Sequence, residues 1–336
     1  MPAIELCSMS RIHKTYPYLL AHESPSSVLI DMAYRVNPDF NLTGSTLVVD
    51  YDLAKLKRMQ PDKWMCGELE DVEGLFNRLL MQVFQYDSPY QVQRDILAAS
   101  KLIVPTGEFR VSVPPKVGAK RVKSIADQCF QSVHAVKTKG ESLLICRQPL
   151  PKDPLPEAHS ITYHDPVSDK ELKFYTIPGM FSSNNVDKGT DLLLQTVSLV
   201  KDSSVLDIGC GYGVIGVVAA MRGATVSLLD VDARAIKLAR RNLQLNGHSG
   251  KVYLKIQPYD FVDNAFDVIL SNPPTHAGSI TLQQLFSEMV RVCRPAGYVA
   301  IVVREQLNYE KWLVKLGNVT ILAKANGYKI IHIKKG

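Results

Sequence analysis

The sequence predicts two α/β domains in tandem, each built on a doubly wound sheet, the second copy complete and the first degenerate. Three observations carry this. Short apolar strands alternate with helical stretches through residues 203–302, a glycine-rich turn follows the first of those strands, and pieces of the N-terminal half recur in the C-terminal half at nearly constant spacing. Strands that alternate with helices imply parallel pairing, because a parallel neighbour needs a crossover long enough to hold a helix.

At 336 residues the chain is long enough for two domains, since single cores stop growing near about 250–300 residues. A hydrophobic content of 46% against 21% charged residues is that of a globular protein. No run approaches the roughly 18 apolar residues of a membrane span, and the first 20 residues lack the basic-then-apolar order of a signal peptide. Six scattered cysteines without a CxxC spacing argue against a zinc site and for a reducing, cytoplasmic compartment. The net charge of +6 leans mildly toward a polyanionic partner. The expectation is a monomer with no metal and no membrane.

In the C-terminal half, Ser204 to Ile208 is a strand with an acid, Asp207, near its end, and it runs into Gly209-Cys210-Gly211-Tyr212-Gly213 and an apolar helix ending at Met221. A second strand from Thr225 ends at Asp230. Ala233 to Asn246 has helical periodicity and stops at Asn246-Gly247. Further strands are expected at residues 252–256, 266–270 and 298–303. Ligands of such sheets bind at the carboxyl ends of the strands. Glycines there let the backbone approach a ligand without a Cβ clash. The acid before a tight GxGxG turn suits a cationic sulfonium nucleoside, S-adenosylmethionine (SAM), better than a pyrophosphate. Asp230, 21 residues after Gly209 (230 − 209 = 21), stands where an acid accepts from both ribose hydroxyls. Asp260 is placed to receive the adenine amino group. The competing readings are a structural turn for Gly209, Gly211 and Gly213 and helix capping for Asp230 and Asp232.

The fourth strand runs into Ser271-Asn272-Pro273-Pro274-Thr275-His276. Two prolines after a buried strand can be an edge turn. They can also fix a pair of acceptors. An amino group conjugated to a ring or carbonyl is a poor nucleophile, because its lone pair is delocalised. Hydrogen bonds from its two protons to the Asn272 side-chain oxygen and the Pro273 carbonyl favour a tetrahedral nitrogen aimed at the methyl donor, so catalysis is mostly positioning. Asn272, Pro273 and Pro274 are the candidate catalytic residues, with Asn272 also beside the cofactor.

At this point the sequence resembles the 16S ribosomal RNA guanine-N2 methyltransferase family, whose members carry this Asn-Pro-Pro motif late in a Rossmann-like domain. Four stretches match: Phe174 to Ser182 with Val186 to Leu194; the glycine turn; Asn272 to Gly278; and Gly317-Asn318-Val319 through Gly327-Tyr328. The resemblance covers residues 160–335 and is weak before 150. It implies methyl transfer from SAM to guanine N2 in ribosomal RNA or the small subunit, with Phe181 closing over cofactor and base. Position 275 departs from many amino-methyltransferases, which place a stacking aromatic there; Thr275 cannot stack. His276 could bind a phosphate, take up the released proton, or simply face solvent.

The N-terminal half echoes this one. Val49 to Ala54 parallels Leu229 to Arg234 (230 − 50 = 180), Pro105 to Phe109 parallels Pro295 to Val299 (297 − 107 = 190), and Lys139-Gly140 parallels Asn326-Gly327 (327 − 140 = 187). Val28 to Met32 resembles the first strand, but no glycine turn follows. Asp87-Ser88-Pro89-Tyr90 stands in the place of the Asn-Pro-Pro motif as a relic or a turn. The division expected is an extension at 1–24, a degenerate methyltransferase-like support domain at 25–147, a proline-rich linker at 148–160 and the catalytic domain at 161–336. Lys116, Lys120, Arg121 and Lys123 sit among backbone carrying Pro114-Pro115 and Gly118, with Asp127 the single nearby acid. They read equally as phosphate contacts on flexible backbone or as a solvated helix face.

Three rivals remain from residues alone: a glutamine-N5 protein methyltransferase, a DNA amino-methyltransferase that flips its base, and a SAM-binding structural or assembly protein that has lost activity.

Overall fold

The alternation of the C-terminal half resolves into elements whose boundaries follow local chemistry. A computed structural model describes residues 31–34, 47–59, 63–85, 87–137, 140–150, 159–273 and 279–335. The chain divides into two compact units, one of residues 1–50 and 55–156 and the other of residues 51–54 and 157–336.

The first unit contains β1 (Asp31–Tyr34), β2 (Leu47–Asp50), α1 (Leu53–Met59), β3 (Lys63–Cys66), β4 (Phe76–Gln82), α2 (Pro89–Leu102), β5 (Ile103–Val113), α3 (Ala119–Ala126), β6 (Phe130–Lys137) and β7 (Ser142–Pro149). The second opens with a separate hairpin, β8 (His159–Asp165) and β9 (Lys170–Thr176), then α4 (Lys188–Thr196), β10 (Ser204–Ile208), α5 (Val214–Met221), β11 (Thr225–Asp230), α6 (Ala233–Leu245) and β12 (Lys251–Leu254). It closes with β13 (Phe266–Ser271), α7 (Ser279–Val292), β14 (Cys293–Arg304), α8 (Glu310–Leu313), β15 (Asn318–Ala325) and β16 (Tyr328–Lys334).

The two sheets have one topology. Strand order is β3-β2-β1-β4-β5-β7-β6 in the first and β12-β11-β10-β13-β14-β16-β15 in the second. The strands expected in the C-terminal half are parallel, and two antiparallel strands that the sequence reading did not include complete the sheet at one edge. Five strands of each sheet are parallel, but β7 joins β5, and β16 joins β14, antiparallel. A short glycine turn connects each closing pair, at Gly140 and Gly327, and a hairpin can only be antiparallel.

Pairing register makes the duplication concrete. Both sheets break register at the same place, between Phe76 and Arg78 and between Phe266 and Val268, so positions 78 and 268 correspond (268 − 78 = 190). A glycine sits against each break. A Cβ on Gly107 would lie 2.7 Å from the Asn77 carbonyl oxygen, and one on Gly297 would lie 2.3 Å from that of Asp267. Such distances exclude any side chain without a backbone shift.

Carried along the pairing, this register corrects two readings. Ala33 pairs with Leu80, as Asp207 pairs with Leu270. Ala33, not Asp31, therefore holds the place of the acid, and residues read as following the first strand are part of it. Gln82, closing β4, corresponds to Asn272. Asp87-Ser88-Pro89-Tyr90 is accordingly no relic of the motif. Ser88 Oγ accepts the Gln91 N–H at 3.1 Å and Pro89 occupies the first turn of α2, the ordinary chemistry of a capped helix start. Asp50, the counterpart of Asp230, is buried and ion-paired to Lys55 at 2.5 Å.

Each sheet is sandwiched by helices over its own core. Phe109 and Phe130 stack at 5.7 Å in the first unit, with Leu79, Ile96 and Val111 around them. Phe286, Ile269, Met289 and Val299 centre the second. Residues Val214 to Ala219 of α5 are all buried, which explains why that helix is apolar on every face. Among the described residues no helix is long and apolar enough to cross a membrane, and no cluster of metal-ligating side chains occurs.

Candidate active site

Three neighbouring strands of the second sheet carry polar groups at their outgoing ends. Asp207 is the penultimate residue of β10, Asp230 closes β11, and Asn272 follows β13. Their convergence follows from register: β10 lies between β11 and β13, and Ser271 Oγ donates to the Ile208 carbonyl at 2.6 Å, tying the outgoing ends together.

The Gly209 and Cys210 N–H groups both donate to the Leu229 carbonyl, at 2.8 and 3.1 Å, which folds the turn onto the end of β11. Gly209 and Gly211 have φ of +72° and +53°, and the space a Cβ would enter is open at both. Gly213 differs. It caps α5 in the left-handed region, and a Cβ there would meet Ala239 Cα at 3.1 Å, so its smallness serves helix packing and not approach to a ligand.

Asp207 is 1% exposed. One carboxylate oxygen accepts the Gly216 N–H at 3.1 Å, and the other, Oδ1, is buried without a partner. Burial, relieved slightly by Gly216 and reinforced by the charge of Asp230, pushes this carboxyl up to about 8. Asp230 is half-buried. Its Oδ2 accepts the Gly211 N–H and its Oδ1 the Asp232 N–H, each at 2.9 Å, and the Val231 N–H adds a third backbone contact. Burial raises it to about 6, against the pull of those N–H groups. Capping of α6 falls to Asp232, which accepts from Arg234 N–H at 2.9 Å.

Asp260 lies on the turn after β12, 74% accessible at its side chain, and is ion-paired with Lys255. The polar atom buried without a partner at this strand end is Gln257 Oε1.

Asn272 is half-buried and Pro273 buried. The Asn272 amide nitrogen donates to Asp187 Oδ2 at 3.0 Å and to Thr190 Oγ1 at 2.9 Å. Pro274, Thr275 and His276 lie outside the described residues. Phe181, between β9 and α4, is 63% exposed. Its neighbour Ser182 accepts from the Tyr212 hydroxyl at 3.2 Å, which joins this segment to the glycine turn.

Sequence reasoning missed Asn242 of α6. It is fully buried. Its Nδ2 donates to the carbonyls of Tyr175 and Tyr212 and its Oδ1 accepts the Tyr175 N–H, so one amide holds hairpin, glycine turn and helix together. Periodicity gave no sign of it.

In the first unit, Lys120, Arg121 and Lys123 stand on α3, a regular helix, not on flexible backbone. Lys116, Lys120 and Arg121 are exposed, while Lys123 pairs with Asp127 at 2.7 Å.

Residues 171–332 match the family described as the methyltransferase small domain. The match covers just under half of the chain. Its boundaries span the β9 strand, the glycine turn and Asn272, and stop two residues before β16 ends. The small-subunit ribosomal RNA methyltransferase C of Actinobacillus succinogenes is 36% identical over 179 residues, covering 51% of this chain and 53% of that one. The protein of the same name from Mannheimia succiniciproducens is 37% identical over 179 residues. The chain thus spans about half the length of the curated relatives it matches. The family read from four sequence stretches is the one these relatives bear by name. A T. thermophilus 16S rRNA N2 methyltransferase, solved with AdoMet and guanosine, superimposes with a TM-score of 0.83 at 20% identity, covering 96% of this chain and 92% of that one. At that identity the likeness shows a shared fold.

Proposed function

We propose that the chain transfers a methyl group from SAM to the exocyclic N2 of a guanine in small-subunit ribosomal RNA. The observation that carries the reading is Asn272: both of its amide protons are engaged by Asp187 and Thr190, so its oxygen is the polar atom left for an acceptor amine, beside the turn between Asp207 and Asp230. The relatives' names and the guanosine in the T. thermophilus complex support guanine as that amine's bearer.

The residues present fit SAM. Gly209 and Gly211 open a path along the backbone, Asp207 Oδ1 is buried without a partner, and Asp230, held by backbone N–H groups at the end of β11, is placed to accept from ribose hydroxyls. When bound, SAM supplies an electrophilic methyl group on a cationic sulfur. The chain's own contribution is placement. Asn272 Oδ1 and the Pro273 carbonyl accept the two protons of the guanine amine, which localises its lone pair. Burial around Asp207 and Pro273 keeps water away. The first domain, with Ala33 and Gln82 in the places of Asp207 and Asn272, serves as support, and Lys116, Lys120 and Arg121 contact phosphate.

Tritiated SAM tests this. Label in naked 16S RNA or small subunits is expected. Label confined to release factor would establish the protein-glutamine rival, and SAM binding without transfer the structural one. An Asn272→Ala protein that binds SAM yet keeps full activity would overturn the mechanism.

A further inference from the structure

We infer that Asp187, backed by Thr190 and Tyr328, is the positioning group that fixes which end of the Asn272 side-chain amide faces the acceptor amine; this rests on the methyl-transfer reading above. An amide side chain has two ends of opposite character, an oxygen that accepts and an NH2 that donates. A half-turn about its last bond exchanges them at almost no steric cost. With oxygen outward, Asn272 receives a proton of the guanine amine. With nitrogen outward, donor meets donor and the site is inert.

The structure holds the half-turn in one sense. An ionised carboxylate can only accept. Asp187 Oδ2 takes the N–H groups of Gly189 at 2.9 Å and Thr190 at 3.1 Å together with Asn272 Nδ2 at 3.0 Å. Its other oxygen takes the Tyr328 hydroxyl at 3.1 Å. Turning Asn272 over would set its oxygen against a carboxylate oxygen, lone pair to lone pair. Thr190 Oγ1, 2.9 Å from Nδ2, takes the second amide proton, but a hydroxyl could equally donate to an oxygen. Asp187 alone is unconditional.

Asp187 cannot swing away to accommodate the wrong end. It is the N-cap of α4, with φ −61° and ψ 138°, and its carboxylate is committed to that helix. The Tyr328 ring lies so near the backbone of this turn that a Cβ on Gly189 would come within 2.8 Å of both the ring and Asp187 Oδ2. Arg304 covers the ring at 4.3 Å. Asp187, Gly189 and Thr190 lie in one sequence stretch and Tyr328 in another, 141 residues from Asp187. Both converge on one amide that itself lies 85 residues from Asp187.

Asp187→Asn isolates the effect. Asparagine caps a helix as well as aspartate, so α4 should persist, but its amide can offer either a donor or an acceptor to Asn272. The variant is expected to lose about 10–100-fold in kcat, the scale of a misplaced reacting group. KM for RNA and the calorimetric Kd for SAM should stay within about twofold of wild type. Thr190→Val, which leaves the capping carboxylate intact, is expected to lose about 3–10-fold in kcat with the same split. A wild-type kcat in Asp187→Asn would overturn the inference.

A second measurement needs no substrate. The side-chain NH2 signal of Asn272 in a 1H–15N spectrum, assigned by its loss in Asn272→Ala, should exchange slowly with D2O in the wild type and quickly in Asp187→Asn. Equal exchange in the two proteins also overturns the inference. A wild-type protein that methylates no RNA would refute the functional reading, while the exchange comparison would still decide the orientation of Asn272.

Discussion

Asp207 and Asp230 stand on adjacent strands and differ in what satisfies them. Asp230, raised to about 6, must be ionised to accept from two hydroxyls. Its proton therefore competes with ligand. Affinity for SAM is expected to fall about tenfold per pH unit below 6, and to level off above it until other groups intervene. Titration calorimetry from pH 5 to 7.5 checks this, and Asp230→Asn should bind weakly with a flat profile. Folding stability moves the opposite way. Both carboxyls hold protons in the native state that the unfolded chain has already released, across the window from the ordinary aspartate value of 3.8 to about 8. The native state binds more protons there, so the ligand-free protein should lose stability as pH rises through that window. The melting temperature is expected to drop between pH 5 and 8, less so in Asp207→Asn. At this scale the sequence was informative where a residue closes a strand. Asp207, Asp230 and Asn272 each stand at or next to the outgoing end of an apolar run, which marks them without any tertiary knowledge. Asn242 and Asp187 act through partners 67 and 85 residues away, and no local pattern reports such a partner.

Elements are governed by caps and by close approaches. Ser88 closes the N-terminus of α2, and its replacement by alanine should cost about 1 kcal/mol in denaturant unfolding while leaving methyl transfer untouched. Loss of transfer would restore a catalytic meaning to Asp87-Ser88-Pro89-Tyr90. Gly297 is a stricter position. A methyl group there collides with the Asp267 carbonyl at 2.3 Å, so Gly297→Ala is expected to destabilise the second unit by about 2–4 kcal/mol, read as an earlier transition in thermal unfolding. Strands β10, β11 and β13 and helix α6 were legible from periodicity and from Asn246-Gly247. The closing antiparallel pair was not. Strand direction depends on which edge a chain joins, and β15 and β16 have the same apolar character that a parallel strand would show.

For the molecule as a whole, equal strand order in two sheets is the dominant fact. Slowly varying offsets between the halves had already pointed to it, because indels fall in loops while strands keep their length. The alignment of individual positions had not, since Val28 to Met32 and Ala33 offer alternative frames that only pairing with β4 separates. Charge is also a whole-molecule property. Lys116, Lys120 and Arg121 are exposed on the first unit. Changing all three to glutamine is expected to weaken binding of 16S RNA and to lower the slope of log affinity against log salt by about 2–3. SAM affinity should be unchanged, and an unaltered salt slope would remove this face from the RNA interface.

Ala33 in the place of Asp207 gives the chain a built-in reference state. The same backbone occurs once with a methyl group at that position and once with a carboxyl that is 1% exposed and half-satisfied. Alanine at that place in one sheet and aspartate in the other set endurance against readiness. Asp207→Ala should therefore yield a ligand-free protein that melts higher than the natural one and no longer gains from SAM, an inert twin of its own first half.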